Sequence, residues 1–157
     1  MPGITTRLAD FLPYRLAITS NAVSGMIARE YGDRFGLRVP EWRIMAVLGD
    51  AGPLTQRQLV RATLMDKVAV NRACKQLEER GMLARSPNAA DGRSHHLALT
   101  DEGISIHAQI WPQAFGATER IFACLSDGER TMLRQTLDKL FVAVGDSEAG
   151  QIAATGN

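Results

Sequence analysis

The sequence predicts a mainly α-helical fold with a small β-hairpin, and three observations carry this prediction. Residues 55–80 contain two short helical patterns separated by a brief turn. Residues 83–100 contain two strand-forming runs on either side of a loop rich in turn formers. Apolar residues at helical spacing recur before and after this stretch. The order is that of a winged helix-turn-helix, with N- and C-terminal helices that we expect to form a dimer bundle.

The second helix of the stretch has two faces of different character. Asp66 suits its N-cap, because the carboxylate can accept a bond from an unpaired backbone N–H, and Gly81 suits its end. One face is apolar and consists of Val70, Ala73, Cys74 and Leu77. The other carries side chains that can contact phosphates, base edges or thymine methyl groups, namely Lys67, Val68, Ala69, Asn71, Arg72 and Lys75. This face predicts a DNA-recognition helix, and the alternative is a solvated amphipathic helix without a partner.

The preceding helix begins with a capping signature. Thr55 and Gln58 fit the capping box, in which each side chain satisfies a backbone N–H of the other residue. Gln56 and Arg57 stand between them in the first turn, where a helix N-terminus can contact a phosphate. Residues 62–65 then form a short turn of the length that a helix-turn-helix requires.

The hairpin after the second helix predicts a wing. Its strands are expected at residues 83–86 and 95–100, and residues 87–94 form the loop between them. Arg93 lies at the tip, where a guanidinium could enter a narrow minor groove of DNA. Asp91, two residues earlier, could hold that guanidinium by a charge-assisted bond. The alternatives are an ordinary turn residue for Asp91 and a solvated cation for Arg93.

Three motifs in this stretch resemble those of one family. The wing reads Asp91-Gly92-Arg93-Ser94 followed by Leu99-Thr100-Asp101-Glu102-Gly103, and the segment before it reads Leu77-Glu78-Glu79-Arg80-Gly81-Met82-Leu83. These resemble the D-x-R-S, L-T-x-x-G and L-E-x-x-G patterns of the MarR (multiple antibiotic resistance) family of bacterial regulators. The resemblance covers roughly residues 8–145. Val68 and Ala69 depart from the small hydroxyl residues that family members often carry, so no operator sequence is implied.

The resemblance implies a dimeric, sequence-specific transcriptional regulator, and in particular a repressor released from a pseudo-palindromic operator by a small aromatic or phenolic ligand. Trp42 resembles an aromatic residue that lines the effector pocket of several relatives, and a core tryptophan is the alternative. The candidate ligand-binding residues are Arg15, Trp42, His107 and Trp111. The candidate DNA-binding residues are Thr55, Gln56, Arg57, Lys67, Val68, Ala69, Asn71, Arg72, Lys75, Asp91, Arg93 and Ser94.

Charge is distributed unevenly along the 157 residues. The formal net charge is only +1, which alone predicts no nucleic-acid partner. Residues 55–96, however, hold eight Lys/Arg against four acidic residues, a net of +4, whereas the remainder holds ten against thirteen, a net of −3. A basic module in an acidic body is typical of a localised contact with DNA.

The rest of the chain reads as helices. We expect helices at residues 13–34 and 40–50, and a long helix from Asp101 with a kink at Pro112. A last helix follows a capping box at residues 126–129. The expected division is an N-terminal dimerisation helix (1–36), a winged helix-turn-helix (37–100), C-terminal dimerisation helices (101–145) and a disordered tail (146–157).

Other classes of function receive little support from the sequence. No nucleophile–base–orienter set is visible, so we expect no enzyme. His95 and His96 are adjacent on a strand and point to opposite faces, so neither a metal site nor a cofactor is expected. Cys74 and Cys124 lie in helical patterns and are expected to be small core hydrophobes in a reducing cytoplasm. A redox- or metal-responsive regulator of the same fold and a winged-helix protein-interaction module remain the alternatives.

Overall fold

The computed structural model describes the backbone of residues 7–155 and the side chains of residues 7–145. The helices, after a single 3₁₀ turn at Leu8–Asp10, are α1 (Leu12–Phe35), α2 (Val39–Ala51), α3 (Gln56–Thr63), α4 (Lys67–Glu79), α5 (Asp101–Phe122) and α6 (Asp127–Thr155). The strands are β1 (Leu54–Thr55), β2 (Leu83–Pro87) and β3 (His95–Leu99). The chain forms two compact units, which divide after Thr118. Within the described residues, no helix is long and apolar enough to cross a membrane.

The sheet has one more strand than the sequence predicts. Its order is β1-β3-β2, and both pairings are antiparallel. The predicted hairpin of β2 and β3 is confirmed, with Leu83 opposite Leu99. The expectation of only two strands is wrong, because Leu54 and Thr55 pair with the other edge of β3. Two residues are too few to show an alternating pattern, so β1 leaves no signal of its own.

The core of the first unit is built by the helices and strands up to α5. Its largest fully buried side chains are Tyr31, Ile44, Met45, Leu59, Val70, Cys74, Leu77, Leu97 and Ile110. The four residues predicted for the buried face of α4 are all no more than 2% exposed. The periodicity of the apolar positions in α4 therefore identified its buried face correctly.

The predicted helix caps are present. In α3, the Gln58 backbone N–H donates to Thr55 Oγ1 (3.2 Å), and the Thr55 N–H donates to Gln58 Oε1 (2.8 Å). In α4, the Ala69 N–H donates to Asp66 Oδ1 at 2.8 Å. Gly81 has φ +71°, the left-handed conformation expected just beyond a helix C-terminus. These contacts fix where the two helices of the helix-turn-helix begin and where the second one ends.

The L-T-x-x-G motif joins the wing to α5. Thr100 Oγ1 donates to the Gly81 carbonyl (2.6 Å) and accepts from the Gly103 N–H (3.1 Å). The Thr100 N–H donates to the Met82 carbonyl at 3.1 Å. A Cβ on Gly103 would lie 2.0 Å from that same carbonyl oxygen, so only glycine fits there without a backbone shift. The motif is therefore a packing device that docks the start of α5 against the start of β2.

The later helices only partly match the expectations. Helix α5 continues through Pro112 to Phe122, as the prediction of a long helix requires. The kink at Pro112 stays a prediction. The second unit has the predicted capping box, in which the Glu129 N–H donates to Ser126 Oγ and the Ser126 N–H donates to Glu129 Oε2. The expectation that Cys124 is a core residue is wrong: its side chain is exposed, because the residue lies in the turn between α5 and α6 and not within a helix.

Two expectations concern the ends of the chain. Residues 1–6 of the expected N-terminal dimerisation segment (1–36) lie outside the described residues. Helix α6 ends at Thr155 and so overlaps the segment 146–157, for which a disordered tail is expected. The side chains of that segment and its last two residues lie outside the described part of the chain, and its disorder stays a prediction.

Candidate nucleic-acid interface and aromatic cluster

Helix α4 presents the predicted polar face to solvent. Lys67, Asn71, Arg72 and Lys75 are all exposed. Val68 is 66% exposed, although it is apolar. Ala69 lies at the margin of the buried face and is half-buried. The exposed arc therefore combines cations, an amide and one apolar group, which is the chemistry that can contact phosphates, base edges and a thymine methyl group.

The C-terminal half of α4 is tied to its surroundings by arginines. Arg85 Nε, at the base of the wing, donates to Glu78 Oε1 at 2.6 Å. This bond raises the pKa of the Arg85 guanidinium above its usual value. Arg38, at the start of α2, donates to Gln76 Oε1 and also binds Glu41 Oε1 at 3.0 Å. These contacts fix α4 relative to both the wing and α2.

Arg80 joins the end of α4 to the end of α1. Its guanidinium donates to the carbonyl of Gly36 at 3.0 Å and to that of Phe35. Carbonyl groups in the last turn of a helix have no partner within the helix, and a cation there also interacts well with the helix dipole. Arg80 is thus a long-range C-terminal cap for α1, although it lies in the basic segment that sequence analysis assigns to DNA.

A groove of about 850 Å³ lies between the wing, the N-terminus of α3 and the start of α4. Seven of the predicted DNA-binding residues line it: Thr55, Gln56, Arg57, Lys67, Asp91, Arg93 and Ser94. The other five, Val68, Ala69, Asn71, Arg72 and Lys75, follow Lys67 along α4 outside the groove. Further lining residues that sequence reasoning missed are Gln58, Val60, Arg85, Asn88, Ala90, His95 and His96. The positive charge of Arg85 was a signal. The others give none: Gln58 and Val60 lie on α3, Asn88 and Ala90 in the loop of the wing, and His95 and His96 on β3.

The loop of the wing is held by its own hydrogen bonds. Asn88 Nδ2 donates to Ser94 Oγ (2.9 Å), and the Asn88 N–H donates to the Ser94 carbonyl (3.1 Å). Asp91 Oδ1 accepts from the backbone N–H of Arg93 at 3.1 Å. The expectation that Asp91 holds the Arg93 guanidinium is therefore wrong, because a carboxylate two residues earlier in a turn is placed to bind the backbone N–H instead. Asp91 shapes the loop, and the Arg93 side chain extends from it.

This groove, here called the basic groove, is rich in unpaired positive charge. Arg57, Lys67 and Arg93 are exposed. In the part of the chain that the structure describes, none of these three forms an ion pair, in contrast to Arg85 with Glu78. Cations that are not neutralised by neighbouring carboxylates remain available for an anionic partner.

A second feature is an aromatic cluster around Trp42. The rings of His107, Trp42 and Trp111 form a triangle: His107 stacks on Trp42 (centroids 5.5 Å apart) and on Trp111 (5.7 Å), and the two indoles lie 6.2 Å apart. Tyr31 packs on Trp42 at 5.4 Å. Trp42 is buried, whereas Trp111 is 51% exposed. Burial lowers the pKa of His107 and raises that of Tyr31 to about 12, so the uncharged forms of both are favoured. A Cβ on Gly49 would lie 2.6 Å from His107 Nε2, so the glycine leaves room for the imidazole.

The cluster unites three of the four candidate ligand-binding residues. Trp42, His107 and Trp111 are in contact, and Tyr31 is an addition that sequence reasoning missed. Arg15 is exposed on α1, sixteen residues before Tyr31. Since an α-helix rises about 1.5 Å per residue, that spacing corresponds to roughly 24 Å. The structure therefore does not bring Arg15 to the cluster within one chain.

The two cysteines lie in different environments. Cys74 is buried in α4, whereas Cys124 is exposed. Burial raises the pKa of the Cys74 thiol to about 11. The reactive thiolate is therefore disfavoured at this position. Among the described residues, no group of three or more His, Cys, Asp or Glu side chains is arranged to hold a metal ion.

Comparison with known proteins agrees with this geometry. Residues 35–94 match the sequence profile of the MarR family. The HTH-type transcriptional repressor NicR of Pseudomonas putida is 28% identical over 106 residues, which is 68% of this chain and 66% of that protein. A probable transcriptional regulator from Pseudomonas aeruginosa superimposes with a TM-score of 0.74 at 29% identity, covering 85% of this chain and 99% of that one.

A second similar structure is described with a small molecule that regulates it. BpsR of Bordetella bronchiseptica superimposes with a TM-score of 0.74 at 24% identity, covering 82% of this chain and 97% of that one, and is described as regulated in DNA binding by 6-hydroxynicotinic acid. At this identity the likeness establishes the fold alone.

The fold and the exposed face of α4 define a winged helix-turn-helix protein. The matches confirm the resemblance drawn from the wing motifs: residues 35–94 fit the MarR family profile, and the chain is similar over two thirds of its length to a transcriptional repressor.

Proposed function

We propose that this regulator is a homodimeric repressor that binds a pseudo-palindromic DNA operator and is released by a small aromatic acid or phenol. The observation that carries the DNA-binding part is the continuity of the basic groove with the exposed face of α4. Together they form one surface on which the cations Arg57, Lys67, Arg72 and Arg93 are exposed. The name of NicR supports the choice of a repressor.

Different parts of this surface would contact different parts of the DNA. Helix α4 would enter the major groove, where Asn71 and Arg72 read base edges and Val68 contacts a thymine methyl group. Arg57 and the N-terminus of α3 would bind phosphate and so set the register. Arg93 would enter the adjacent minor groove, with the loop shaped by Asp91.

The terminal helices supply the argument for a dimer. The first part of the chain carries large apolar side chains that are half or more exposed, namely Leu8, Phe11, Leu12 and Leu16. In the second unit, α6 exposes Met132, Leu140, Phe141, Val142 and Val144. Apolar surface of this extent typically marks a protein–protein interface. We therefore propose residues 1–36 and 101–145 as the dimerisation parts and 37–100 as the DNA-binding part.

A two-fold axis between two such copies would explain a pseudo-palindromic site. The two α4 helices would then enter successive major grooves about 34–36 Å apart. A ligand that favours another spacing would weaken DNA binding, and by linkage DNA would weaken ligand binding by the same factor.

The aromatic cluster is our candidate for the effector site. The half-exposed face of Trp111 offers a flat surface on which an aromatic ring can stack. His107 supplies a polar nitrogen beside both indoles. The description of BpsR makes an aromatic acid the first ligand class to test. We propose Arg15 as a contact to its carboxylate from the second copy of the dimer.

The DNA-binding part is tested by selecting an operator from a random duplex library and measuring anisotropy with labelled operator and variant duplexes. Arg72→Ala and Asn71→Ala should each cost about 1–3 kcal/mol of binding free energy and relax preference at a base position. Arg29→Ala removes an equally exposed cation on α1 and serves as the matched control. Equal effects of Arg72→Ala and Arg29→Ala would contradict the proposed role of α4.

The effector part is tested by thermal unfolding with a panel of hydroxybenzoic, hydroxycinnamic and hydroxynicotinic acids. A ligand at about 100 times its Kd should add roughly 2.7 kcal/mol to the free energy of unfolding. A hit should also release the labelled operator, and Trp111→Ala should abolish both effects. A hit that stabilises Trp111→Ala equally would place the effector elsewhere.

A further inference from the structure

Two histidines that neither the DNA-binding prediction nor the aromatic cluster uses lie in the basic groove. His95 opens β3 opposite Pro87, and His96 pairs with Thr55 of β1 and Ser86 of β2. His95 is exposed and His96 is half-buried, and both line the groove. Sequence reasoning set them aside because adjacent strand residues cannot easily share a metal ion.

The charged groups that surround these imidazoles are mostly cations. Arg57 faces the groove from α3, Lys67 from α4, and Arg93 from the loop. Arg85 faces it from β2 but is paired with Glu78. The only carboxylate that lines the groove, among the described residues, is that of Asp91, which accepts the Arg93 backbone N–H. An incoming phosphate would bring a negative charge next to these imidazoles.

We propose that His95 and His96 contact the phosphate backbone of DNA as protonated side chains, so that DNA binding takes up protons and tightens as the pH falls. The inference rests on the proposed DNA-binding function and names a way in which that same surface is regulated. Histidine is the side chain whose charge ordinarily changes between about pH 5 and pH 8. A phosphate next to the imidazole favours its charged form.

The sign of the effect follows from linkage. If the complex holds more protons than the free protein, lowering the pH shifts the equilibrium towards the complex. A fully linked proton changes the Kd by a factor of about 10 per pH unit. A protonated histidine on a phosphate also displaces a counterion, so the dependence of log Kd on log salt should steepen by about 0.9 for each such contact.

The experiment is fluorescence anisotropy with a labelled 30-base-pair duplex of mixed sequence, titrated with full-length protein between about pH 6 and pH 8 at several salt concentrations. Phosphate contacts do not depend on sequence, so this probe needs no operator. For the wild type we expect the Kd at about pH 6 to be roughly tenfold lower than at about pH 8, with a steeper salt dependence.

Two sets of variants decide the assignment. The double variant His95→Gln/His96→Gln should bind weakly at both pH values, with the pH dependence largely lost. The double variant His95→Lys/His96→Lys carries a permanent charge and should bind tightly at both. His107 is retained in both variants, so any remaining slope belongs to His107 or to other groups. Circular dichroism spectra at each pH establish that the variants are folded.

The outcomes separate the two proposals. A pH dependence that is unchanged in the glutamine variant would overturn the assignment to His95 and His96 and leave DNA binding intact. A wild-type Kd that does not change with pH would also overturn it. Failure to bind any duplex at any pH would instead refute the proposed function.

Discussion

The winged segment and the first half of α1 are both amphipathic, but only the winged segment buries its apolar face within one chain. Leu59 and Leu77 are 0% exposed, whereas Leu12 and Leu16 of α1 are 75% and 50% exposed. The second half of α1 packs Ile27, a residue at the same helical spacing, against the core. The winged unit therefore buries its apolar face within a single chain, while the N-terminal part of α1 leaves apolar residues exposed, as the proposed dimer requires.

The largest expected effect comes from testing this contrast directly. Leu59→Ala should lower the free energy of unfolding by about 2–5 kcal/mol, because it leaves a cavity in the core. Leu16→Ala is the matched control and should change the unfolding of the monomer by about 0.5 kcal/mol or less. It should instead weaken self-association, measured by sedimentation equilibrium. If Leu16→Ala changes neither quantity, the first half of α1 is not an interface.

Glycine positions give the second comparison. Gly103→Ala should cost about 1–3 kcal/mol of unfolding free energy, because the new Cβ would collide with the Met82 carbonyl and force a backbone shift. Gly25→Ala in α1 meets nothing within 4 Å and should stabilise the helix by about 0.5–1 kcal/mol. Chemical denaturation measures both changes. Similar values for the two variants would mean that the wing and α5 are not docked through this motif.

The helix caps provide a third and smaller test. Asp66→Ala removes the side-chain acceptor for Ala69 and should cost about 1 kcal/mol in thermal or chemical unfolding. At the start of α1, Phe11 occupies the N-cap and makes no side-chain cap bond. Phe11→Ala should therefore cost nothing through capping. A loss on Phe11→Ala that equals the loss on Asp66→Ala and does not depend on protein concentration would contradict the view that the winged segment alone is locally complete.

The smallest expected effect concerns pH and His107. Because burial lowers the pKa of His107 in the folded chain, the unfolded chain binds more protons just below the ordinary histidine pKa. Stability contributed by the neutral imidazole should be present above about pH 6.5 and decline as the pH falls below it. Thermal unfolding should show this decline in the wild type and a weaker one in His107→Gln. A melting temperature that rises as the pH is lowered would give the wrong sign.

Local signals predicted much of the winged segment. The capping residues Thr55 and Asp66 and the buried face of α4 depend on contacts a few residues apart, which a sequence pattern displays directly. The motif with Thr100 and Gly103 was recognisable by resemblance, but its reason became clear only from the approach of the Met82 carbonyl.

Long-range and strand-register features were not predictable in the same way. The contact of Arg80 with the end of α1 spans more than forty residues, and composition alone assigned its charge to DNA. His95 and His96 line the groove from β3, whose pairing with β2 and, at His96, with β1 joins residues far apart in the sequence. The aromatic cluster joins α1, α2 and α5, so its members could be proposed one by one, but their stacking could not.

The basic groove and the exposed face of α4 are proposed to form one DNA-binding surface. The most direct measurement is the Kd for a labelled duplex as a function of salt concentration, in the wild type, in Lys67→Ala and in Arg93→Ala. For the wild type we expect a linear rise of log Kd with log salt concentration. In each variant whose substituted cation contacts a phosphate, the slope should be smaller by about 0.9. A Kd that does not respond to salt, or slopes that are identical in all three proteins, would contradict it.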